Sequence, residues 1–488
     1  MRWRAHLLLL AVACAGCGGG AASGQGGTLP GRTRPLLEHS WPHPRDLQIA
    51  ANRFGPPDAS ALLLSTTAGL RAYVSPDRED TLAQITAAIP LGPRLEQAGE
   101  TGVAEALSRV LQQQIAGALG PAFVGRVQVD QDADLTRVTV QTLADDWRPA
   151  LAAVVAAIRT PRLDHPTIAA YRTGPGFARQ TRGLAGPGFR PGVELARLVA
   201  EHPIAPPQPG VAVRPEAVRI VAARALRPDE VVLGIGGAVT REDARRDLEA
   251  LTSGWQATGV AKPGGQPADT ASRTVTERSR LIEEPGYTTW IAVGHPMPKV
   301  APGDEAAVAV MADVVNIRLN IAVREIRGLA NQAVLQVPAT TLHDGLLHVR
   351  TGGRPESVAP LIRYSLEELS RIRDAAGAPT TEELEQVKGG LVLGRWQGSL
   401  DGTRGVSASY AIETARYGSV DRLMRWPEAV RAVTSGQVTD VARRYIRPEQ
   451  MGVVVIGQLD AVRNARHPRW PATLDDVLPA RASAEANR

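Results

Sequence analysis

The 488-residue sequence predicts an α+β protein built of two homologous halves, each a β-sheet with helices packed on one face. An internal repeat is the first observation behind this prediction. Arg227, the proline after it and a buried strand ending at Gly237 recur as Arg447, a proline and a buried strand ending at Gly457. In both copies the proline stops an amphipathic helix before the strand begins.

The order of strands and helices is the second observation. Residues 135–143 alternate between polar and apolar side chains and lead into an apolar helix over 147–158. The same order returns as a strand over 346–351 and a helix over 356–372. A repeat of about 200 residues is too long for a solenoid and indicates two domains. Their joint is predicted at 259–274, where Pro, Gly and Ala concentrate.

Composition excludes several function classes. Hydrophobic residues make up 43% and charged residues 22%, which is a globular balance. Aromatic residues make up only 4%, so a protein that stacks many bases is excluded. The 55 basic residues are interspersed with 50 acidic ones, which favours a mixed solvated surface over a nucleic-acid surface. The two cysteines, Cys14 and Cys17, exclude a disulfide framework and a Cys-rich metal site in the body.

The N-terminus carries a processing signal. Two arginines precede a short apolar run at 7–12, and small residues follow up to Cys17. This pattern resembles the bacterial lipoprotein signal, which implies removal of residues 1–16 and lipidation of Cys17. Processing at Cys14 and an ordinary secretory signal remain the alternatives.

Residues 17–58 are predicted to tether a folded body to the membrane. The glycine-rich start of this segment is typical of a flexible linker. Two or three acyl chains on one cysteine suffice for stable anchoring, and no later segment approaches 18 apolar residues. We therefore expect a lipid-anchored protein facing the periplasm. Gly18 in place of Asp after the acylated cysteine favours the outer membrane.

Four sequence markers in the body resemble the M16 peptidase family, the group of insulinase, pitrilysin and the mitochondrial processing peptidase. They occur in the family's order, and the resemblance covers most of the chain after the tether. The markers lie at 201–207, 226–239, 318–330 and 380–388.

The M16 resemblance implies a fold and a domain plan. The fold is the LuxS/MPP-like metallohydrolase fold, with two halves that form a clam-like body. The halves are expected at 59–258 and 275–480, on either side of the 259–274 linker. The last residues, 481–488, are predicted to be a disordered tail.

The family's zinc motif, H-x-x-E-H, is degenerate in this chain. Two histidines of the motif bind zinc from one helical face, and the glutamate activates water. The aligned positions here hold Glu105, Ser108 and Arg109. The region of the distant ligand, 173–192, contains no acidic residue. The resemblance therefore implies that no metal is bound and no cofactor is needed, with a displaced metal site as the alternative. Glu105 and Arg109 are spaced for an ion pair instead.

The remaining histidines indicate no other catalytic site. His343 and His348 flank an Asp-Gly turn signal and therefore do not share a helix face. His39 and His43 lie among prolines, where loop histidines are favoured over metal ligands, and His202 before a proline is expected to be a turn residue. No Ser–His–Asp arrangement can be recognised. The run 234–237 is predicted to end a strand, since it opens no phosphate-binding loop.

M16 peptidases hold substrate with an Arg and a Tyr in the second half, seven residues apart. Arg324 occupies the Arg position, and Asn331 stands where Tyr is expected. The resemblance implies that Arg324 grips a peptide carbonyl. The alternative is a structural ion pair with Glu325 or another acid.

These features predict a membrane-anchored M16-like protein that is not active alone. The favoured function is the non-catalytic substrate-binding or regulatory partner subunit of a zinc-bearing M16 homologue. The alternative is a structural or peptide-binding lipoprotein of a cell-envelope complex, which Asn331 favours. A self-sufficient metallopeptidase is the third hypothesis. Expected partners are a zinc-bearing homologue or another envelope protein, a peptide or unfolded segment, and the membrane, but not nucleic acid.

Overall fold

The structure of the protein is a computed structural model that describes part of the chain. The described residues are 54–97, 99–164, 168, 189–199, 213–257, 277–338 and 342–479. Cys17, the signal peptide, the 259–274 linker and the tail lie outside them, so these remain predictions. Backbone contacts divide the chain into two units, Met1–Phe54 and Gly55–Arg488, and the second unit contains all the described residues after Phe54.

Sheet 1 contains six strands in the order β1-β2-β6-β3-β5-β4. The last strand in the chain, β6, lies inside the sheet, parallel to β2 and antiparallel to β3. The strands are β1 (Leu63–Ser65), β2 (Arg71–Pro76), β3 (Leu82–Ile89), β4 (Gly125–Gln131), β5 (Thr136–Leu143) and β6 (Val232–Gly237).

Sheet 2 repeats this order without a counterpart of β1, as β7-β11-β8-β10-β9. Its last strand, β11, is parallel to β7 and antiparallel to β8, so it takes the place of β6. Sheet 2 repeats the strand order of sheet 1, and the matching strands β6 and β11 end at Gly237 and Gly457. The duplication predicted from the sequence is therefore confirmed. The strands are β7 (Ser279–Glu283), β8 (Thr289–Met297), β9 (Ala330–Gln336), β10 (Gly345–Gly353) and β11 (Gly452–Gly457).

Fourteen α-helices occur in the described residues. Two of them, α7 and α9, continue into π-helical segments at Ile321–Ile326 and Gly390–Gln397. The helices before the joint are α1 (Ala59–Leu62), α2 (Val103–Leu119), α3 (Trp147–Arg159), α4 (Arg190–Val199), α5 (Pro215–Ala225) and α6 (Arg241–Thr252). Those after it are α7 (Glu305–Asn320), α8 (Val358–Arg371), α9 (Thr381–Gly389), α10 (Gly402–Tyr417), α11 (Asp421–Ala432), α12 (Ser435–Tyr445), α13 (Leu459–Asn464) and α14 (Leu474–Val477).

The main core of the first half lies between sheet 1 and helices α2 and α3. Leu107 and Leu111 of α2 and Leu151 of α3 are fully buried, as is Ile85 of β3. Each such side chain contributes about 1.5–3 kcal/mol to stability when it leaves water. The i, i+4 spacing of Leu107 and Leu111 puts both on the face of α2 that meets the core.

Each sheet also receives one helix from the other half on its second face. Helix α10 lies on β6, where a Cβ atom on Gly234 would come within 2.4 Å of the Ser407 carbonyl oxygen. Helix α4 packs in the same way on sheet 2, with Leu195 in a cluster with Val454 and Ile456 of β11. Because side chains alternate along a strand, these helices lie opposite the main cores. The sequence predicts helices on one face of each sheet. In the structure, each sheet also carries on its other face a helix from the opposite half, and we call α4 and α10 the exchanged helices.

One helix among the described residues, Pro302–Ile326, is long and apolar enough to cross a membrane by length and composition. The expectation that no later segment approaches this length is therefore wrong. The helix contains Arg318, which is only 10% exposed and bonds Glu383 (2.6 Å) and Glu368 (3.3 Å). More than half of its apolar window is buried within the fold, so its hydropathy reflects packing between α8, α12 and β9.

Candidate functional site

Helix α2 carries the positions aligned with the zinc motif. It begins at Val103, because Gly102 before it has a left-handed backbone with φ of 82°. Glu96 caps this end. The backbone N–H of Ala104 donates to Oε1 of Glu96 at 2.8 Å, and that of Gly102 donates to Oε2 at 3.0 Å. A carboxylate here also faces the positive end of the helix dipole.

Burial raises the pKa of Glu96 to about 7. The two backbone N–H groups act in the opposite direction, and the nearby carboxylates of Glu100 and Glu105 raise the pKa further. Glu100 has its own counterion, because Arg224 of α5 donates to it from both terminal nitrogens at 2.7 and 3.2 Å. The end of α2 thus holds three carboxyl groups and one buried guanidinium.

Ser108, at the position of the family's catalytic glutamate, is 3% exposed and belongs to a closed hydrogen-bond network. Its hydroxyl donates to the carbonyl of Ala104 at 2.8 Å and accepts from Nε2 of Gln131 at 2.9 Å. Thr136 lies 3.0 Å away and donates to the carbonyl of Leu91 at 2.6 Å. Strands β4 and β5 therefore fill the space beside Ser108 with neutral polar groups.

Arg109 takes a different partner from the one the sequence suggests. Its Nη1 donates to Oε1 of Gln112 at 2.7 Å, one turn along the same face of α2. The described contacts of Arg109 contain no ion pair with Glu105, which is 8% exposed. The predicted Glu105–Arg109 pair is wrong because the guanidinium turns toward the C-terminal end of the helix.

These three positions do not fit a zinc ion. A hydrolytic zinc site needs three protein ligands and an open position. Here a guanidinium and a hydroxyl engaged in a buried network replace one histidine and the catalytic glutamate. Among the described residues, no three His, Cys, Asp or Glu side chains are grouped so as to hold a metal. Most of the region of the distant ligand, residues 173–188 of 173–192, lies outside the described residues.

The loop between β4 and β5 connects this site to the second half. Asp132 forms an ion pair with Arg416 of α10, and Oδ1 of Asp134 lies 3.2 Å from Nε2 of His343. Beside this loop, Arg94 donates to Oδ1 of Asp344 at 2.8 Å. Gln131 and Thr136 of the Ser108 network are at the two ends of the same loop.

Arg324 and Asn331 lie on the surface of the second half. Arg324 is in the π-helical segment Ile321–Ile326, and its Nε and Nη2 donate to Oε1 of Glu325 at 2.8 and 2.5 Å. Both side chains are 57% exposed, so water screens the pair and it stabilises the fold little. Asn331 is exposed on β9. An exposed arginine can exchange this local partner for a ligand at low cost.

Two of the described histidines are structural. His295 of β8 is fully buried, and its Nε2 accepts the backbone N–H of Arg447 at 3.1 Å. His348 of β10 has a pKa lowered to about 4, because it is buried and lies near Arg350. Both rings are therefore neutral at physiological pH. His39, His43 and His202 lie outside the described residues.

A known protein family resembles part of this chain. Residues 212–391 match the family described as "Peptidase M16 inactive domain". The M16 resemblance is confirmed. No curated protein matches the M16-like chain significantly.

Solved structures show the same fold over four fifths of the M16-like chain. A peptidase M16 inactive domain from Pseudomonas fluorescens is 19% identical with a TM-score of 0.65, covering 83% of this chain and 98% of its own. A protease from Helicobacter pylori is 15% identical with a TM-score of 0.67, covering 81% and 98%. A chain of Complex III2 from Candida albicans is 14% identical with a TM-score of 0.65, covering 82% and 96%.

Sequence reasoning missed Glu96 and the loop contacts to the second half. Glu96 has a local signal, because an acidic residue shortly before a helix suits the orphan N–H groups of the first turn. Nothing local signals the partners of Asp132 and Asp134, since Arg416 and His343 are far away in the sequence.

Proposed function

We propose that this M16-like protein is the non-catalytic substrate-binding or regulatory partner subunit of a zinc-bearing M16 homologue. The observation that carries the proposal is the Ser108 network, in which neutral hydrogen bonds close the position of the catalytic glutamate. Both halves remain around this closed position, which suits a chain that binds a substrate or a partner without cleaving it.

The edge of sheet 1 is the surface that supports substrate binding best. Strand β4 is at this edge and pairs, in the described part of the chain, with β5 alone. An extended peptide can add to such an edge through main-chain hydrogen bonds. The strand contacts α2 and supplies Gln131 to the Ser108 network, so a peptide added there lies next to the degenerate motif.

Membrane attachment is part of the proposal. The lipoprotein-like pattern before Cys17 supports a lipid anchor on the periplasmic face of the outer membrane. Metabolic labelling with a radioactive fatty acid tests it. We expect label in the wild-type chain and none in the Cys17→Ser variant. Labelled Cys17→Ser protein would contradict the anchor at this residue.

Co-expression with a zinc-bearing M16 homologue from the same genome tests the partner role. We expect the two chains to co-purify, and peptide hydrolysis to require both. Arg324→Ala should raise the KM of the pair several-fold. Arg395→Ala is the matched control, because Arg395 is also an exposed arginine of a π-helical segment paired with an acid, Asp313 (2.6 Å). Failure to associate would overturn the proposal. So would zinc and chelator-sensitive cleavage in this chain alone.

A scaffold role in the cell envelope is the second candidate. Asn331 favours it, because an exposed amide stands where the family's substrate-binding tyrosine is expected. The similarity to a chain of Complex III2 supports this candidate as well. A pull-down from detergent-solubilised envelope separates the two functions. A stoichiometric partner unrelated to M16 peptidases favours the scaffold, and recovery of a zinc-bearing homologue alone counts against it.

A further inference from the structure

A cleft of about 520 Å³ lies between α8 and the residues 469–477, away from the site described above. This volume is in the range of protein sites that bind specific ligands. Its lining includes two aromatic rings, Tyr364 and Trp470, and two prolines, Pro360 and Pro471. An aromatic and proline-lined cleft offers flat apolar surfaces to a ligand.

The guanidinium of Arg327 makes cation–π contacts with both aromatic rings. Arg327 lies 4.0 Å from the ring centroid of Tyr364 and 5.7 Å from that of Trp470. The same side chain donates to the carbonyl of Ala322 at 2.9 Å, which fixes its position. Since a protein cation already faces both rings, a cationic ligand is disfavoured.

Three hydrogen-bond donors around the cleft have no acceptor among the described residues, whereas two of its carboxylates already accept hydrogen bonds. No described residue accepts a hydrogen bond from the Tyr364 hydroxyl, the Trp470 indole N–H or the Arg469 guanidinium. In contrast, Glu367 accepts from Arg363 at 2.7 Å. Asp476 accepts the backbone N–H of its capping residue at 2.8 Å. A complementary ligand must therefore supply acceptors and needs few donors.

We propose that this cleft binds an extended, proline-rich and acidic segment of a protein partner. A polyproline II segment exposes its carbonyl groups as acceptors, and each proline lacks the backbone N–H. Aromatic-lined grooves bind such segments through their proline rings. Acidic side chains of the segment pair with the exposed guanidinium of Arg469. The inference goes beyond the partner role above and does not depend on it.

Fluorescence anisotropy of a labelled peptide with the full chain tests the proposal. The probe repeats Pro-Pro-Glu three times. One control peptide replaces each Glu by Lys, and the other replaces each Pro by Gly. We expect saturable binding of the probe with a Kd below about 1 mM. Both controls should bind at least about tenfold more weakly. Absence of saturable binding, or equal binding of either control, would overturn the proposal.

Variants of the chain locate the binding. Trp470→Ala should weaken binding of the probe about tenfold or more. Trp470→Phe keeps a ring without the N–H and should weaken binding by a smaller factor. Trp426→Ala on α11, outside the cleft, is the matched control and should change nothing. If Trp470→Ala does not fold, as judged by circular dichroism, binding of the probe is measured instead with Trp470→Phe and Arg469→Glu, and both should weaken it. Unchanged binding in both would overturn the site, and no zinc-bearing homologue is needed for any of these measurements.

Discussion

Ser108 shows how a catalytic position is closed at the scale of one residue. Its hydroxyl donates to a carbonyl of its own helix and accepts from Gln131, and a second hydroxyl, that of Thr136, lies 3.0 Å away. A glutamate at this position needs more volume and, when ionised, desolvation of a charge. The network therefore has to be dismantled before the family's glutamate can return.

Ser108→Glu should lower the free energy of unfolding by about 2–4 kcal/mol, because it overpacks a buried position and buries a carboxylate. Urea denaturation at pH 7.5 measures the change. Gln113→Glu introduces the same group at an exposed position of α2 and should change stability by less than about 0.5 kcal/mol. A Ser108→Glu variant as stable as the wild type would show that the space beside α2 is open.

Glu96 gives the first half a pH dependence. Its pKa of about 7 in the folded state lies above the value of 4.5 for a free carboxyl. The folded state therefore binds this proton more tightly than the unfolded state does. The resulting stabilisation is complete below pH 4.5 and is lost as the pH rises through 7.

Glu96→Gln should remove this contribution. The wild type should lose ~3 kcal/mol of unfolding free energy through this group between pH 4.5 and pH 8, and the variant should lack this part of the slope. Urea denaturation in steps of half a pH unit measures both profiles. Glu367→Gln, at an exposed ion pair of α8, is the control and should keep the wild-type slope. Parallel profiles for wild type and Glu96→Gln would contradict the raised pKa.

Among the secondary-structure elements, two glycines of β6 determine how closely helix α10 approaches sheet 1. Gly234 and Gly236 of β6 face α10, and added Cβ atoms would lie 2.4 and 2.5 Å from carbonyl oxygens of that helix. No side chain larger than hydrogen fits at this separation. The glycine-containing end of β6 is thus explained by packing, in agreement with its prediction as a strand end.

Gly234→Ala should lower the melting temperature, because α10 must move away from sheet 1. The free energy of unfolding should fall by about 1–3 kcal/mol. Gly117→Ala on α2 is the matched control. A Cβ atom there meets nothing within 4 Å, so the change should raise stability by up to ~1 kcal/mol. Differential scanning calorimetry measures both, and a stabilising Gly234→Ala would contradict the close approach.

The elements themselves could be predicted from the sequence because their signals are local. The strand over 135–143 and the helix over 147–158 match β5 and α3 within one residue at each end, since apolar periodicity sets them. The exchange of α4 and α10 could not be predicted. Gly234 and Leu195 carry no information on which distant helix or strand will meet them.

The two halves form one structural unit, because each covers one sheet face of the other with a helix and because polar contacts join them. Tyr73 of β2 contacts α10 twice, through a hydrogen bond to Thr414 at 2.9 Å and an edge-to-face contact with Tyr410. Arg404 of α10 pairs with Asp80 at 3.1 Å. Neither half can lose its structure without exposing a face of the other.

Thermal unfolding of the full chain should therefore show one transition. The calorimetric enthalpy should equal the van't Hoff enthalpy, although proteins with two domains often depart from this equality. Tyr410→Ala should lower the midpoint of the whole transition by removing a fully buried ring. Two separated transitions, of which Tyr410→Ala moves only one, would contradict the coupling.

The exchanged helices also set the order in which the body can be completed during synthesis. All six strands of sheet 1 have been made once Gly237 leaves the ribosome, yet helix α10, which packs on one face of that sheet, follows only in the second half. The first half therefore lacks this packing partner until most of the second half has been translated. A first half that gains this packing partner so late should bind chaperones during synthesis, before the second half is complete.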